Sequence, residues 1–415
     1  MAELLNVDLA VQRILAGIAL LPAEEIPITQ ALGRILAQDV HASINLPPFA
    51  NSSMDGYALI AADASTASPD SPAALQVVMD IPAGSFPQEP IRPGQAARIM
   101  TGAPVPDGAD AVIPVEQTDS TWTAGDDVPL ADHVRLFKAV KPGDNIRPMG
   151  EDIHSGQHVL SAGITLRPQD IGMLVALGFA NTPVIRQPRV AIISTGDELV
   201  EAGEPLAPGQ IRDVNSHTIS GLVSTYGGIP IRLPIARDTL AAVRGVFQAA
   251  LDHQPDIIIS SAGVSVGTYD VVRTVLDELG EVNFWRVNLR PGKPLAYGQV
   301  QGVPFFGLPG NPVSALVTFD VFVRPALLKL LGLPDSVHTA SAITAEDIHS
   351  DGRRSYLRVR LQRENGALVA QTTGTQSSGA LMSMVLADAL LIVPEDVTFV
   401  PQGSTLQVRL LRQPD

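Results

Sequence analysis

Between Pro188 and about Leu331, short apolar runs alternate with stretches of helical periodicity. This alternation constrains the fold more than any other feature of the chain. The runs Val190–Ile193, Ile229–Ile235, Ile257–Ile259 and Val303–Gly307 read as strands. Helical patterns follow them near Ser216–Ser224, Thr239–His253 and Val271–Leu279, and a long helix follows Asn311. Leu240, Val243, Val246, Phe247, Ala250 and Leu251 fall on one face of the second. Asn311 is an N-cap candidate, and Pro312 sits at a first turn, where its missing N–H costs nothing. Such alternation calls for right-handed βαβ units and a mostly parallel sheet.

Three of the strands run into loops of small residues: RVAIISTGDEL (189–199), DIIISSAGVSVGTYD (256–270) and VPFFGLPGNPVSAL (303–316). Backbone N–H groups and the helix dipole at such strand-to-helix turns favour phosphate. Three loops of this kind suggest a phosphorylated ligand bound where the strands end. The segment Ser261–Gly267 lacks a P-loop lysine and dinucleotide-binding spacing, so a tight turn explains its small residues as well as a phosphate cradle does. Glu198, beside Asp197, is placed to hold Mg²⁺ against phosphate oxygens or to be a solvated turn. Asp238 and Asp270 each precede a helix, so capping is as open as chemistry.

The rest of the chain differs in character. The first forty residues read as two short helices broken at Pro22 and Pro27, with Val11, Ile14, Leu15 and Ile18 on one face of the segment Val11–Leu21. From Leu46 to about Arg147, prolines and glycines separate β-type runs at Gln76–Met79, Ala97–Met100, Ala111–Val115 and Val134–Phe137. A helix is expected near Asp170–Leu177 with Asp170 as N-cap. After Pro334, the runs Tyr356–Leu361, Ala367–Gln371, Ala389–Val393 and Thr405–Leu410 suggest a small C-terminal β-barrel or sandwich. A chain of 415 residues is too long for one core. The expected architecture is multidomain α/β plus β. It comprises a helical and extended domain (1–46 with 147–181), a β-rich domain (47–146), an α/β domain (182–331) and a C-terminal barrel (332–415).

Charge narrows the function. There are 28 Lys and Arg against 43 Asp and Glu, a net charge of −15. That balance argues against non-specific nucleic-acid binding. The absence of cysteine excludes disulfides and thiolate metal sites. No basic n-region of a signal peptide and no long apolar span is visible, so a cytoplasmic protein is expected. An anionic substrate then needs a local basic cluster. Arg286, Arg290 and Lys293, within eight residues of FWRVNLRPGKP, supply one. In an extended run, Arg286 and Arg290 point to the same side. Arginine matches an oxyanion bidentately, although a solvated charged face is the ordinary reading of such a run. His154 and His158 are separated by a glycine and a serine among other residues, so they are not read as a helical metal pair.

Taken together, SSMDGYA, MTGAPVP, NIRPMGED, STGDEL, SAGVSVGTYD, RPGKP, GLPGNPVSAL and TTGTQSSGAL occur in the order found in molybdopterin molybdenumtransferases. That family comprises the bacterial enzymes and the E domain of gephyrin. The chain resembles it over essentially its whole length. The resemblance implies an elongated homodimer of four-domain subunits. It implies a reaction in which molybdenum from molybdate enters adenylylated molybdopterin, with Mg²⁺, and AMP is released. The site would lie at the α/β domain of one subunit, completed by the β-rich domain of the other.

By the same resemblance, Glu198 and Asp270 are acidic residues near metal or nucleotide, with Asp238 a further acidic site position. The Gly263–Gly267 loop, with Ser261, Ser265 and both glycines, resembles the phosphate and pterin cradle. Asp55, Thr101 and Asp152 match site positions of the other domains, and Arg358 and Ser378 match C-terminal positions lining the cleft. Pro309, Gly310 and Asn311 resemble a binding loop beside it. Two lysines common in bacterial members are Arg286 and Arg290 here, which keeps oxyanion binding and leaves lysine proton transfer in doubt. Ala262 and Ser377 replace glycines. Molybdopterin adenylyltransferase and apo-molybdoenzymes are the implied protein partners. The α/β region also resembles the adenylyltransferases themselves, and a cofactor carrier is a third reading. Tungstate is as good a match to such a site as molybdate.

Overall fold

A computed structural model of the protein describes residues 4–122, 128–261 and 271–412. The chain divides into two compact units. One holds Met1–Glu25, Gly33–Ala37 and Pro183–Asp415; the other holds Ile26–Leu32 and Gln38–Thr182.

Helix α1 (Val7–Ala16) begins one turn earlier than the Val11–Leu21 segment expected. Asn6 is the reason: its side-chain oxygen accepts the N–H groups of Asp8 at 2.9 Å and Leu9 at 3.1 Å, and the helix stops at Gly17. Val7, Ala10 and Ile14 form its buried stripe. The expected second helix is absent. Ala23–Pro27 is a strand and Ile28–Gln30 a single 3-10 turn. Pro22 and Pro27 leave too few residues between them to repeat a helical hydrogen bond.

The second unit is built on a five-stranded sheet of β1 (Gly56–Leu59), β2 (Ala73–Ile81), β3 (Gln95–Ile99), β4 (Ala111–Pro114) and β5 (His133–Leu136). Their order is β4-β1-β3-β2-β5, antiparallel except between β2 and β3. β1 is buried throughout, and a Cβ on Gly56 would stand 1.9 Å from the Ile113 carbonyl oxygen, so only glycine fits. Tyr57, Leu59, Trp122, Val134 and Leu136 pack on one face. There the Trp122 indole N–H donates to the Tyr57 hydroxyl at 2.9 Å. Helix α2 (Pro168–Ala176) is capped at Arg167, not at Asp170. Pro168 presets the first turn. Asp170, in the third helical position, accepts the Arg167 backbone N–H at 2.8 Å and its guanidinium at 2.9 and 3.0 Å.

The first unit contains the α/β sheet. Its strands are β6 (Arg189–Ile193), β7 (Ile229–Arg232), β8 (Ile257–Ser260), β9 (Gly280–Arg286), β10 (Pro294–Val300) and β11 (Val303–Gly307). The order is β7-β6-β8-β11-β10-β9. The first four strands are parallel, and β10 and β9 close one edge as an antiparallel hairpin pair. Helices α3 (Val214–Thr225), α4 (Leu240–Asp252) and α5 (Val271–Leu279) supply the crossovers. Strands buried on both faces need continuous apolar runs. Val190, Ile192, Ile257 and Ile259 face Ile219 and Val223 of α3, while Ala191, Ile193 and Ile258 face Val243 and Phe247 of α4 and Val275 of α5. The long helix expected after Asn311 runs as α6 (Pro312–Thr318), a π-type turn at Phe319–Val323, and α7 (Arg324–Leu330).

The C-terminal barrel belongs to the same unit. Strands β12 (Thr339–Thr344), β13 (Arg354–Glu364), β14 (Ala367–Thr372), β15 (Ala389–Val393) and β16 (Thr405–Leu410) pair in the order β13-β14-β12-β16-β15. A β13–β15 pairing closes the ring, which removes the exposed edges. A sixth strand, Leu289–Arg290, adds to β13 in parallel, Leu289 opposite Arg354 and Arg290 opposite Ser355. Among the described residues no helix is long and apolar enough to cross a membrane.

Candidate functional site

Where β6, β8 and β11 end, the strand-end loops and the start of α3 enclose a cavity of about 340 Å³. That volume suits a small ligand. Thr195, Glu198, Asp213, Asn215, Ser261 and the Gly310–Asn311 pair line it. Several of these groups are tied down by hydrogen bonds. Ser261 is buried and its hydroxyl lies 3.1 Å from that of Ser194. The Asn215 amide donates to the Gly310 carbonyl at 2.8 Å, tying α3 to the loop Leu308–Asn311. Asn311 does occupy the cap position of α6, but its side chain makes no capping bond. Its amide instead donates to the Ser378 hydroxyl at 3.0 Å, while the Ser378 carbonyl accepts the Val313 N–H at 3.0 Å. Three expected site residues, Asn311, Gly310 and Ser378, are thus joined. Pro309 sits in the same loop.

Carboxylates gather at one end. Gly196 has φ of +154°, and a Cβ there would lie 2.7 Å from Glu198 Oε2, so the Glu198 carboxylate is folded against the glycine. Asp238 follows in the next loop, its N–H 3.4 Å from Asp197 Oδ1. Capping does not account for it, because Thr239 caps α4 through the Ala242 N–H. Partial burial, and then the negative charges of Asp197 and Glu198, push the Asp238 carboxyl above its ordinary value. Among the described residues, no three acidic or histidine groups are arranged to hold a metal ion by themselves.

Positive charge collects on the barrel side. Arg358, on β13, is 1% exposed. Its Nε donates to the Ser383 hydroxyl and its Nη2 to the Ser377 carbonyl, both at 3.1 Å. Among the described residues no carboxylate pairs with it. Burial, and then the charge of Arg290, bring its pKa down to about 10. Among the described residues Arg290 has only a distant acid, Asp351 at 3.9 Å, whose oxygens are held by Arg353 at 2.5 Å. The same-side arrangement of Arg286 and Arg290 does not hold. β9 ends at Arg286, the chain turns with the Val287 N–H on the Lys293 carbonyl at 2.8 Å, and Arg290 joins the barrel. Arg286 and Lys293 are exposed at the two ends of that turn.

In the other unit, Asp55 Oδ1 accepts both the backbone N–H and the hydroxyl of Thr101, each at 2.7 Å. Those two expected residues are brought together. Asp152 is exposed, and its N–H donates to the Leu46 carbonyl at 3.0 Å. Gly263, Ser265, Gly267 and Asp270 lie outside the described residues. The sequence reading passed over Thr195, Asp213 and Asn215. Its signal was IRDVNSH: Asp213 caps α3 by accepting the Ser216 N–H at 3.1 Å, so the helix starts before the Ser216 expected.

A mostly parallel sheet with a cavity at its strand ends, in one unit with a closed five-stranded barrel, defines a multidomain α/β protein of the kind that binds small ligands where strands end. Three family models match consecutive stretches of the chain. The MoeA N-terminal region (domain I and II) matches 5–178, a probable molybdopterin binding domain matches 191–329, and the MoeA C-terminal region (domain IV) matches 341–411. Molybdopterin molybdenumtransferase 2 of Mycobacterium tuberculosis is 41% identical over 92% of this chain and 94% of its own length. The molybdopterin molybdenumtransferase of Bacillus subtilis is 32% identical over 98% of this chain and 94% of its own. The crystal structure of a molybdopterin biosynthesis moea protein from Pyrococcus horikosii superposes with a TM-score of 0.82 at 33% identity, covering 99% of this chain and 100% of that one. The chain belongs to the molybdopterin molybdenumtransferase family, a family of transferases.

Proposed function

We propose that this protein inserts molybdenum from molybdate into adenylylated molybdopterin and releases AMP. The observation that carries the reading is Arg358. A buried guanidinium without a carboxylate is costly unless an anion completes it. Arg358 reaches the cavity's own loop through Ser377, Ser378 and Asn311. A tetrahedral dianion held there by Arg358 and Arg290, with Arg286 and Lys293 adding positive field, would be positioned beside a ligand in the cavity, and positioning supplies much of the rate in such a reaction. Ser261 and the Pro309–Asn311 loop would hold the substrate, with Gly263, Ser265 and Gly267 continuing that wall.

Mg²⁺ belongs to the proposal through Glu198 and Asp270. The hard oxygen donors at Glu198, Asp197 and Asp238 suit Mg²⁺. The ion usually takes one or two carboxylates plus substrate phosphates, so Glu198 and Asp270 would suffice to hold it. When bound, Mg²⁺ would neutralise the pyrophosphate as it breaks. Glu198 would orient that phosphate end, and the raised Asp238 carboxyl marks where positive charge is wanted. Asp55, Thr101 and Asp152 are retained as catalytic residues of the β-rich unit. A homodimer, the four-domain division, a cytoplasmic location, and exchange with an adenylyltransferase and apo-molybdoenzymes complete the reading.

The test is AMP release from adenylylated molybdopterin with Mg²⁺, with and without molybdate. Release that requires molybdate, with product able to activate an apo-molybdoenzyme, is expected. Tight binding without release would make the protein a carrier. Full release by Glu198→Ala at limiting Mg²⁺ would withdraw that residue's role.

A further inference from the structure

Among the described residues, two buried side-chain oxygens at the start of α3 have no hydrogen-bond partner. Asp213 is 3% exposed and lines the cavity. One of its oxygens caps the helix through the Ser216 N–H, while Oδ2 has no hydrogen bond. One turn along, the Ser216 hydroxyl is 1% exposed and equally unpartnered. A buried acceptor without a donor destabilises the folded chain, and such groups persist where a ligand supplies the missing bond. Helix capping explains one carboxylate oxygen and leaves the other unused.

We infer that Asp213 is a specificity residue that reads the N–H donor edge of the pterin, its free Oδ2 accepting from the 2-amino group. This rests on the reading of the cavity as a molybdopterin site. The aminopyrimidinone edge of a pterin carries adjacent N–H donors, the 2-amino group and N3–H. The Asp213 carboxylate, at the cavity wall, offers only acceptors and matches such an edge. Adenine offers one exocyclic amino group flanked by ring acceptors, which an acceptor-only carboxylate matches less well. The α3 N-terminus adds partial positive charge but no base preference.

The test uses fluorescence titration of the full chain and of Asp213→Asn with 6-hydroxymethylpterin, with the corresponding lumazine, in which an oxo group replaces the 2-amino group, and with AMP. Asparagine caps a helix as well as aspartate, so the thermal midpoint of the variant should stay within about two degrees. It places an NH₂ group where Oδ2 stood, opposing the ligand's donor. Wild type should prefer the pterin over the lumazine by at least tenfold. Asp213→Asn should bind the pterin roughly 10- to 100-fold more weakly and lose that preference, with AMP affinity unchanged. Equal pterin affinity in the two proteins overturns the inference. So does a fall in AMP affinity alone, which would give Asp213 to the adenine. A wild type indifferent to the 2-amino group overturns it whatever the variant does. If wild type still releases AMP from adenylylated molybdopterin, only this inference fails. If it neither binds the pterin nor releases AMP, the functional reading fails with it.

Discussion

Replacing Arg358 with methionine should separate stability from function. The guanidinium is 1% exposed, and its pKa falls to about 10 because burial and then Arg290 oppose its charge. A fall of that size corresponds to about 3 kcal/mol against the charged form in the folded state. Arg358→Met removes this cost and fills much of the same volume with a flexible apolar chain. It also loses the bonds to the Ser383 hydroxyl and the Ser377 carbonyl. Those are worth about 1–1.5 kcal/mol each, and Ser383 keeps its own bond to the Ala380 carbonyl. The free protein should therefore be unchanged or more stable by up to about 1 kcal/mol, a rise of a few degrees at most. Molybdate affinity, read by calorimetry on the same sample, should fall about 100-fold with the loss of a charge-assisted donor. The pH dependence has a definite sign. Above about pH 10 the folded state releases the Arg358 proton before the unfolded chain does, so wild type gains stability with rising pH there and the variant does not. A loss of more than about 2 kcal/mol with unchanged molybdate affinity would show Arg358 to be structural and remove the basis for an oxyanion site.

Three further outcomes are expected. Asn311→Ala breaks the link to Ser378, so urea unfolding should report a loss of about 1 kcal/mol and AMP release should slow as the loop loosens. Asp238→Asn should raise the thermal midpoint slightly at pH 7. A carboxyl with a raised folded pKa costs stability once ionised, and that cost disappears at pH 3, where wild type and variant should melt together. Asp55→Ala frees Thr101 from both of its bonds and should lower turnover about 10- to 100-fold while circular dichroism stays native.

The α/β core was legible because its physics is local. Val190–Ile193 and Ile257–Ile259 have no polar face to offer water, so they had to be interior parallel strands, and helix α5 was read to the residue. Elements fixed by single side chains were harder to read. Asn6 and Asp213 start helices earlier than apolar spacing suggests, and Asp170 closes a cap from inside the helix. The strand Leu289–Arg290 exists only because β13, more than sixty residues away, offers it an edge, so no local signal separates Arg290 from Arg286. The site followed the same division. Loops that named themselves, STGDEL and LPGNP, were legible. That no carboxylate among the described residues pairs with Arg358, and that none of them bonds Asp213 Oδ2, are properties of packing, invisible until the chain is folded.

The most direct measurement is the position of tungstate, the heavy and strongly scattering analogue of molybdate, in crystals soaked with the anion and mapped by anomalous scattering. A single peak within hydrogen-bond distance of the Arg358 guanidinium, lost in Arg358→Met, is the expected result. A peak that stays in place in the variant, or one remote from Arg358 and Arg290, would contradict the account.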